Sequence, residues 1–295
     1  MRPFQWVKNL SVFAAIIFNG KLFDLQLFYR ALLAFISFCL FSSASYLIND
    51  VVDAPYDRLH PSKRNRPIAR GDISLFEAKL ASILLAFLGS LVGLWLDWSF
   101  LFLAFLFFLL HLSYSFYLKK IAVLDILMIA FSFIIRALGG ELATGYHLPI
   151  WLMFTVVFLS LFIASGKRRS ELVATGTRTR PALIKYEKAL LNFYTSIFAV
   201  ATLVSYSLFS YFAQPIKFTH PKVKNYLLAN MPYLIGRKWL MLSIFPVIFG
   251  IMRYSQLVFE KQEGERPEKL LASDIPLSVI VLAWGLMIIL IIYVL

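Results

Sequence analysis

Long apolar stretches alternate with short charged segments along the whole chain. Several of them approach the roughly 20 residues that an α-helix needs to cross the hydrocarbon core of a bilayer. The run 99–112 is almost entirely apolar and lacks the apolar–polar alternation of a strand. Because backbone groups in lipid must be paired within helices or closed barrels, the pattern predicts nine helical spans, at about 5–20, 26–50, 77–96, 99–117, 121–143, 149–168, 187–212, 237–259 and 273–294.

Composition strengthens this interpretation. Of the 295 residues, 60% are hydrophobic and the mean hydropathy is +0.76, whereas soluble domains contain about 45–50% apolar residues. The start of the chain faintly resembles a signal peptide, but residues 10–18 are not followed by a convincing small-residue cleavage site, so we interpret them as part of a retained first span. We therefore expect a polytopic membrane protein with one helical domain over 1–295.

The net charge of +13 does not indicate nucleic-acid binding, because the basic residues lie between the apolar runs. That distribution favours membrane topology and anionic ligands. With the N-terminus inside, the cytoplasmic segments hold 21 of the 29 Lys and Arg residues and the opposite side holds 7. The bias predicts a multi-pass protein of the plasma membrane, with the stretch Tyr46 to Gly71 in the cytoplasm and the C-terminus outside.

This stretch reads YLINDVVDAPYDRLHPSKRNRPIARG. Four acceptor side chains lie within three helical turns at its start: Asn49, Asp50, Asp53 and Asp57. On a helix these positions share one broad face, where carboxylates repel one another unless a cation lies between them. Oxygen ligands alone favour Mg²⁺, with Mn²⁺ as the alternative, over zinc. The other interpretation is a solvated helix end with scattered acids.

A proline makes the last of these positions uncertain. Pro55 would remove one hydrogen bond from a helix interior, so the helix is expected to kink or end near Asp53, which leaves the placement of Asp57 open. Basic residues follow directly: Arg58, Lys63, Arg64, Arg66 and Arg70. They are either membrane anchors or phosphate ligands presented by a loop constrained by prolines, since Arg offers a bidentate fork and Lys a point charge.

A second basic cluster follows the sixth predicted span. The segment 165–171 reads SGKRRSE, and the loop after it adds further polar side chains. The candidates for substrate binding in this region are Lys167, Arg168, Glu171, Lys185 and Tyr186. A plain charge block that ends a span is the alternative. Since both clusters are predicted on the cytoplasmic side, two cation-rich loops and one carboxylate group can hold a metal-bound diphosphate.

The fifth predicted span contains Asp125, Arg136 and Glu141. Ionisable groups inside a membrane are costly and usually face a polar cavity. Arg136 either forms a structural pair with Asp125 or Glu141, or faces an anionic substrate. Gly139 and Gly140 would allow a neighbouring backbone or ligand to approach closely. Three other lysines lie on the predicted cytoplasmic face, namely Lys8, Lys119 and Lys120, and for the last two we favour plain anchoring.

These residues resemble a known family. YLINDVVDAPYD is similar to the N-D-x-x-D-x-x-x-D motif of the UbiA superfamily of intramembrane prenyltransferases. Further segments resemble the branch of that superfamily that transfers a phosphoribosyl group, namely RPFQWVKN, NDVVDAPYDRLHPSKRNRPIARG, IRALGG, SGKRRSEL and IMRY. The resemblance covers nearly the whole chain except the connection 213–236, whose role stays open. It implies an all-α fold of nine transmembrane helices around a central cavity open to the cytoplasmic face.

The resemblance also implies a reaction. A 5-phosphoribosyl group would pass from phosphoribosyl diphosphate to a decaprenyl-like polyprenyl phosphate, with release of pyrophosphate, for the synthesis of an envelope glycolipid such as an arabinose donor. Asn49, Asp50, Asp53 and Asp57 would hold Mg²⁺ and the diphosphate. Phosphates of donor and acceptor would be neutralised by Lys8, Lys63, Arg64, Arg66, Arg136, Lys167 and Arg168, with Arg58 as a further candidate.

Two other functions compete with this one. A UbiA-type enzyme could move a prenyl chain from its diphosphate to an aromatic acceptor, but such enzymes generally carry a second Asp-rich motif where this chain has the cations of 165–171. A transporter with an acidic ion site would also fit nine spans and intramembrane charges, yet the sequence shows no inverted repeat. The length of the lipid chain and the formation of a homo-oligomer stay open.

Overall fold

The computed structural model describes residues 3–58, 63–175, 185–213, 225, 229–231, 237–261, 264 and 267–294. Every regular element in these ranges is a helix, which confirms the predicted all-α class. The α-helices are α1 (Ala14–Phe18), α2 (Leu25–Asp57), α3 (Pro67–Arg70), α4 (Leu75–Leu96), α5 (Trp98–Phe116), α6 (Leu124–Thr144), α7 (Ile150–Thr175), α8 (Lys188–Phe212), α9 (Ile244–Phe259), α10 (Pro267–Ser273) and α11 (Ile275–Ile289). A 3₁₀ helix covers Pro3–Phe13 and is called the 3₁₀ helix below. Shorter 3₁₀ turns cover Lys63–Asn65, Leu118–Lys120 and Trp239–Ser243, and a π-helical turn covers Leu290–Val294.

Eight helical segments are long and apolar enough to cross a membrane, by length and composition: Leu25–Asp57, Leu75–Leu96, Trp98–Phe116, Leu124–Thr144, Ile150–Ala174, Lys188–Phe212, Trp239–Phe259 and Ile275–Val294. They coincide with eight of the nine spans that the sequence predicts. The first predicted span corresponds to a shorter apolar helix over Gln5–Phe18. The total of nine therefore stays a prediction.

The chain divides into two compact units. The first unit contains Met1–Ile16 and Lys21–His147, and the second contains Ile17–Gly20 and Leu148–Leu295. The single domain expected over 1–295 stays a prediction. The connection 213–236 lies largely outside the described residues.

In the first unit, α2 packs against α4, α5, α6 and the 3₁₀ helix Pro3–Phe13. Aromatic rings form the centre of this packing, and the ring of Phe38 meets those of Phe100 and Phe107 edge to face at 5.5 and 5.2 Å. Edge-to-face pairs place the positive ring edge against the negative ring face. The acidic end of α2 thus extends from a well-packed helix.

A glycine allows the 3₁₀ helix to lie directly on α6. A Cβ atom at Gly140 would clash with the carbonyl oxygen of Val12 and would lie 2.9 Å from the carbonyl carbon. The close backbone approach expected at this glycine is therefore present. It brings the polar side chains of the 3₁₀ helix, including Lys8 and Asn9, towards Arg136 on α6.

In the second unit, α7 runs along α8, while α9 contacts α7, α8 and α11. The buried cluster between these helices includes Phe162, Tyr254 and Leu257. Near the start of α11, Asp274 accepts hydrogen bonds from Nε and Nη2 of Arg253 at 3.0 and 2.7 Å. These bonds hold the pKa of the Asp274 carboxyl below its usual value. Asp274 also caps α11 by accepting from the backbone N–H of Leu277 at 3.0 Å.

Candidate active site

The acidic helix continues past its proline. α2 ends at Asp57, and the backbone N–H of Arg58 still donates to the carbonyl of Ala54 at 3.2 Å. The expected end near Asp53 is wrong, because Pro55 lies in the last turn, where few hydrogen bonds remain to be lost. Asp57 therefore shares a helix with the other three acceptor side chains.

Two carboxylates of this helix meet at one guanidinium. Arg66 Nη1 lies 3.2 Å from Asp50 Oδ1 and 2.5 Å from Asp57 Oδ2. Arg66 occupies the N-cap position of α3, directly before Pro67, so the chain turns back after α2 and brings this cation to the acids that precede it. The two carboxylates lie seven residues apart, which places them on the same face of a helix.

The other two acceptor side chains form a second pair. Asn49 Nδ2 donates to Asp53 Oδ2 at 3.0 Å, and Lys119 Nζ donates to Asp53 Oδ1 at 2.6 Å. Lys119 lies in the 3₁₀ turn between α5 and α6 and is only partly exposed, whereas Lys120 is exposed. Lys119 thus has a specific partner on α2 in addition to the plain anchoring that the sequence favours, which stays a prediction. The only sequence signal was its position in a short connection on the same predicted side of the membrane.

The chemistry of the donor atoms, though not their present arrangement, suits a hard divalent cation. Two carboxylate oxygens, from Asp50 and Asp57, converge on a single cationic atom, and oxygen is the ligand that such cations prefer. Protein cations hold these carboxylates in the structure, and across the described ranges no group of three or more His, Cys, Asp or Glu residues has an arrangement that could hold a metal ion. The metal ligands expected from the sequence remain a prediction.

The other basic residues after α2 have different surroundings. Arg58 Nε donates to a backbone carbonyl of α3 at 3.2 Å and so ties the end of α2 to the next helix. Arg64 is exposed, and Arg70 forms an exposed ion pair with Asp72 that raises the pKa of Arg70. The backbone of Lys63 belongs to a 3₁₀ helix, but its side chain lies outside the described part of the structure.

Arg136 is buried in the first unit and faces neutral groups. Its Nε lies 2.5 Å from Asn9 Oδ1, and its Nη1 donates to the carbonyl and hydroxyl oxygens of Ser132 at 2.6 and 2.9 Å. The guanidinium carbon lies 4.6 Å from the ring centre of Phe107, a cation–π contact. The 3₁₀ helix, α5 and α6 thus all contribute to the environment of this cation.

The structural pair of Arg136 with Asp125 or Glu141, one of the two alternatives from the sequence, is absent from the described part of the chain. Glu141 instead lies 3.1 Å from Nδ1 of His147, and Asp125 is fully buried in the first turn of α6. A buried guanidinium that meets only neutral groups keeps a full positive charge. The alternative of an arginine that serves an anionic ligand therefore remains.

A polar chain connects the 3₁₀ helix Pro3–Phe13 with the acidic helix. Lys8 Nζ donates to Gln5 Oε1, which also accepts from the Tyr46 hydroxyl at 3.5 Å, the long limit of a hydrogen bond. Tyr46 lies one helical turn before Asp50. Next to Tyr46 is His111 of α5. Its position in the chain provided no signal, because a lone histidine in an apolar run carries no pattern.

The second basic cluster lies at the end of α7, in the second unit. Arg168 forms an ion pair with Glu171, and both side chains are buried. Arg169 has a packing role, since it donates to Asn192 Oδ1 at 2.7 Å and to the carbonyl of Val258 at 2.6 Å. The other three substrate-binding candidates of this region differ in exposure. The side chain of Lys167 is half-buried, that of Lys185 is exposed and that of Tyr186 is buried.

Comparison with known proteins assigns the chain to a family. The model of the UbiA prenyltransferase family matches residues 10–273. The chain is 33% identical to a decaprenyl-phosphate phosphoribosyltransferase of Mycolicibacterium smegmatis over 96% of this chain and 88% of the relative, and also 33% identical to one of Corynebacterium glutamicum over 100% and 86%.

Among solved structures, a UbiA homolog from Archaeoglobus fulgidus bound to GPP and Mg²⁺ has the same fold. It superposes with a TM-score of 0.69 at 18% identity, over 97% of this chain and 94% of that one. Together with the eight long apolar helices, these similarities identify an integral membrane protein with a UbiA-like fold. The chain belongs to the UbiA prenyltransferase family.

Proposed function

We propose that this protein transfers a 5-phosphoribosyl group from phosphoribosyl diphosphate to a polyprenyl phosphate and releases pyrophosphate. The observation that carries the proposal is the convergence of Asp50 and Asp57 on one cationic atom, in a chain that is similar along nearly its whole length to two decaprenyl-phosphate phosphoribosyltransferases. Such a site would bind a diphosphate, and the names of the relatives support a sugar donor as its carrier.

The acidic helix would hold a divalent cation. Its ligands would come from Asn49, Asp50, Asp53 and Asp57, whose oxygens suit Mg²⁺ and, second, Mn²⁺. When bound, the cation would supply Lewis-acid stabilisation of the negative charge on the diphosphate. The A. fulgidus homolog with bound Mg²⁺ supports the use of a divalent ion in this fold.

Two side chains would stabilise the leaving group. Arg66 and Lys119 hold the carboxylates in the structure, and each can turn a positive charge towards a diphosphate that reaches the same helix. Fixed positive charge at the point where negative charge develops is usually the largest electrostatic contribution to catalysis. We assign both residues to the diphosphate of the donor.

The bond changes balance without a protein nucleophile. The bond from C1 of the ribose to the diphosphate oxygen breaks, and a phosphate oxygen of the lipid forms the new bond to C1. The transition state resembles an oxocarbenium ion, as in other glycosyl transfers. A single displacement inverts the configuration at C1, and a product with retained configuration would contradict this step.

The remaining assignments concern the second unit and the membrane. Lys167 and Arg168 supply positive charge for phosphate groups, with Glu171 fixing the orientation of Arg168 through their ion pair; Lys185 and Tyr186 stay substrate-binding candidates. The bias of Lys and Arg residues supports nine spans, a plasma-membrane location and an acidic helix on the cytoplasmic side.

A direct assay tests the proposal. Purified full-length protein would receive radiolabelled phosphoribosyl diphosphate with a polyprenyl phosphate, and separately a labelled prenyl diphosphate with an aromatic acid. We expect label in the lipid fraction and release of pyrophosphate in the first reaction only. Product in the second reaction alone would replace the proposal with aromatic prenyl transfer.

A further inference from the structure

A half-buried histidine near the acidic helix has an unsatisfied nitrogen. The ring of His111 packs on that of Phe107 with centres 4.3 Å apart and lies 6.5 Å from that of Tyr46. Its Nε2 atom is buried and has no hydrogen-bond partner among the residues that the structure describes. Buried polar atoms are nearly always hydrogen-bonded, and an exception calls for an explanation. A ligand that bonds to Nε2 would provide one.

Two cations act electrostatically on the ring of this histidine. The charges that bear on the His111 ring are those of Arg136 and Lys8. Arg136 and His111 both contact the ring of Phe107, and Arg136 pairs with no carboxylate within the described ranges. Two cations exclude a metal ion from this position, and a neutral ligand would leave the buried charge of Arg136 uncompensated. An anion, by contrast, is attracted by the two cations and compensates the buried charge of Arg136.

The donors match one class of anion. An imidazole N–H supplies one hydrogen bond, a guanidinium supplies parallel donors, and an ammonium supplies a point charge. A phosphate monoester has enough terminal oxygens for all three groups. Tyr46 lies one helical turn from Asp50, so such a phosphate would be a neighbour of the diphosphate held by the acidic helix and distinct from it.

We infer that His111, Arg136 and Lys8 form a subsite for a phosphate monoester, in which Nε2 of His111 donates a hydrogen bond to a phosphate oxygen. The inference rests on the proposed function, because two substrates of that reaction carry such a group. The donor carries it at the 5-position of the ribose, and the acceptor carries it at the end of the polyprenyl chain.

Binding of simple probes tests the subsite without catalysis. The melting temperature of purified full-length protein in detergent would be titrated with ribose 5-phosphate and, separately, with a polyprenyl phosphate. His111→Phe keeps a ring against Phe107 but removes both nitrogens, and His111→Gln restores a donor. We expect wild-type protein to be stabilised by at least one probe, with about tenfold weaker binding in His111→Phe and partial recovery in His111→Gln.

The two probes distinguish the source of the phosphate. Weakening for ribose 5-phosphate alone assigns the subsite to the donor, and weakening for the lipid alone assigns it to the acceptor. His147→Phe is the matched control. His147 is exposed, follows the C-terminal end of α6 and pairs with Glu141. That variant should bind both probes like the wild type.

Two results would overturn the inference: no stabilisation of wild-type protein by either probe, or wild-type affinity for both probes in His111→Phe. If His111→Phe does not fold, Arg136→Gln replaces it, since this change removes the charge that the phosphate would meet. Unchanged affinity for both probes in that variant also overturns the inference. Failure of wild-type protein to transfer phosphoribosyl groups would refute the proposed function alone, because probe binding requires no turnover.

Discussion

Asp50 and Asp57, two helical turns apart on α2, present carboxylate oxygens 3.2 and 2.5 Å from the same nitrogen of Arg66. Two negative groups this close are stable only because a cation lies between them. In the proposed function, a metal ion would take the place of the guanidinium between these carboxylates. The pair is therefore the most direct target for tests of the acidic helix.

Asp50→Asn should reduce phosphoribosyl transfer at least about 100-fold, because the amide keeps the shape of the side chain but loses the charge that attracts a cation. Product formation would be measured at saturating substrates, together with the melting temperature. Asp72→Asn is the control, since Asp72 is exposed and pairs only with Arg70 in the described structure. Near-wild-type turnover in Asp50→Asn would refute the assignment of this residue to the metal site.

Adjacent lysines provide a second test. Lys119→Ala should lower kcat/KM for phosphoribosyl diphosphate about tenfold or more, because it removes a positive charge placed 2.6 Å from Asp53. Lys120→Ala removes an equal charge from an exposed neighbour and should stay within about twofold of the wild type. Equal effects of the two changes would mean that Lys119 acts only through the general charge of the loop.

The contact of the 3₁₀ helix with α6 can be tested through two glycines. Gly140→Ala should destabilise the protein by about 1–3 kcal/mol or more, because its Cβ would collide with the backbone of Val12. Gly250→Ala places a methyl group where no atom lies within 4 Å. The melting temperature in detergent should fall in the first variant only, and an equal fall in both would contradict the observed approach.

The ion pair of Arg253 and Asp274 should give stability a dependence on pH. The pKa of Asp274 is lowered in the folded state, chiefly by its hydrogen bond to Arg253, so its contribution is complete above the unfolded pKa of about 4 and is lost as pH falls through the folded pKa. Asp274→Asn keeps an N-cap acceptor but removes the charge. Its melting temperature should lie below that of the wild type at pH 6, and the difference should shrink towards pH 3. A constant difference over this range would contradict the pairing.

Hydropathy located most of the fold, because each apolar run is long enough to identify a span without knowledge of its neighbours. Spacing likewise placed Asn49, Asp50 and Asp53 on one helix face. The continuation of that helix to Asp57 could not be predicted, since the cost of a proline depends on how much helix follows it.

Contacts between residues far apart in the sequence could not be predicted. Lys119 and Asp53 are 66 residues apart, and nothing in either segment indicates that the turn before α6 reaches α2. The neighbouring cations Arg168 and Arg169 look equivalent in sequence, yet one pairs with Glu171 and the other donates to α8 and to the end of α9. These differences depend on the direction in which each side chain packs, and the composition of the segment does not contain that information.

The acidic helix carries counter-ions of its own, and this changes the thermodynamics of metal uptake. A bare divalent cation would have to displace the guanidinium of Arg66 and the ammonium of Lys119, whose charges would then lack partners. A cation that arrives with a diphosphate brings acceptor oxygens for both. Under the proposed function, the helix would therefore take up a metal ion together with its diphosphate in preference to the bare ion, and we expect metal and donor to bind with strong positive cooperativity.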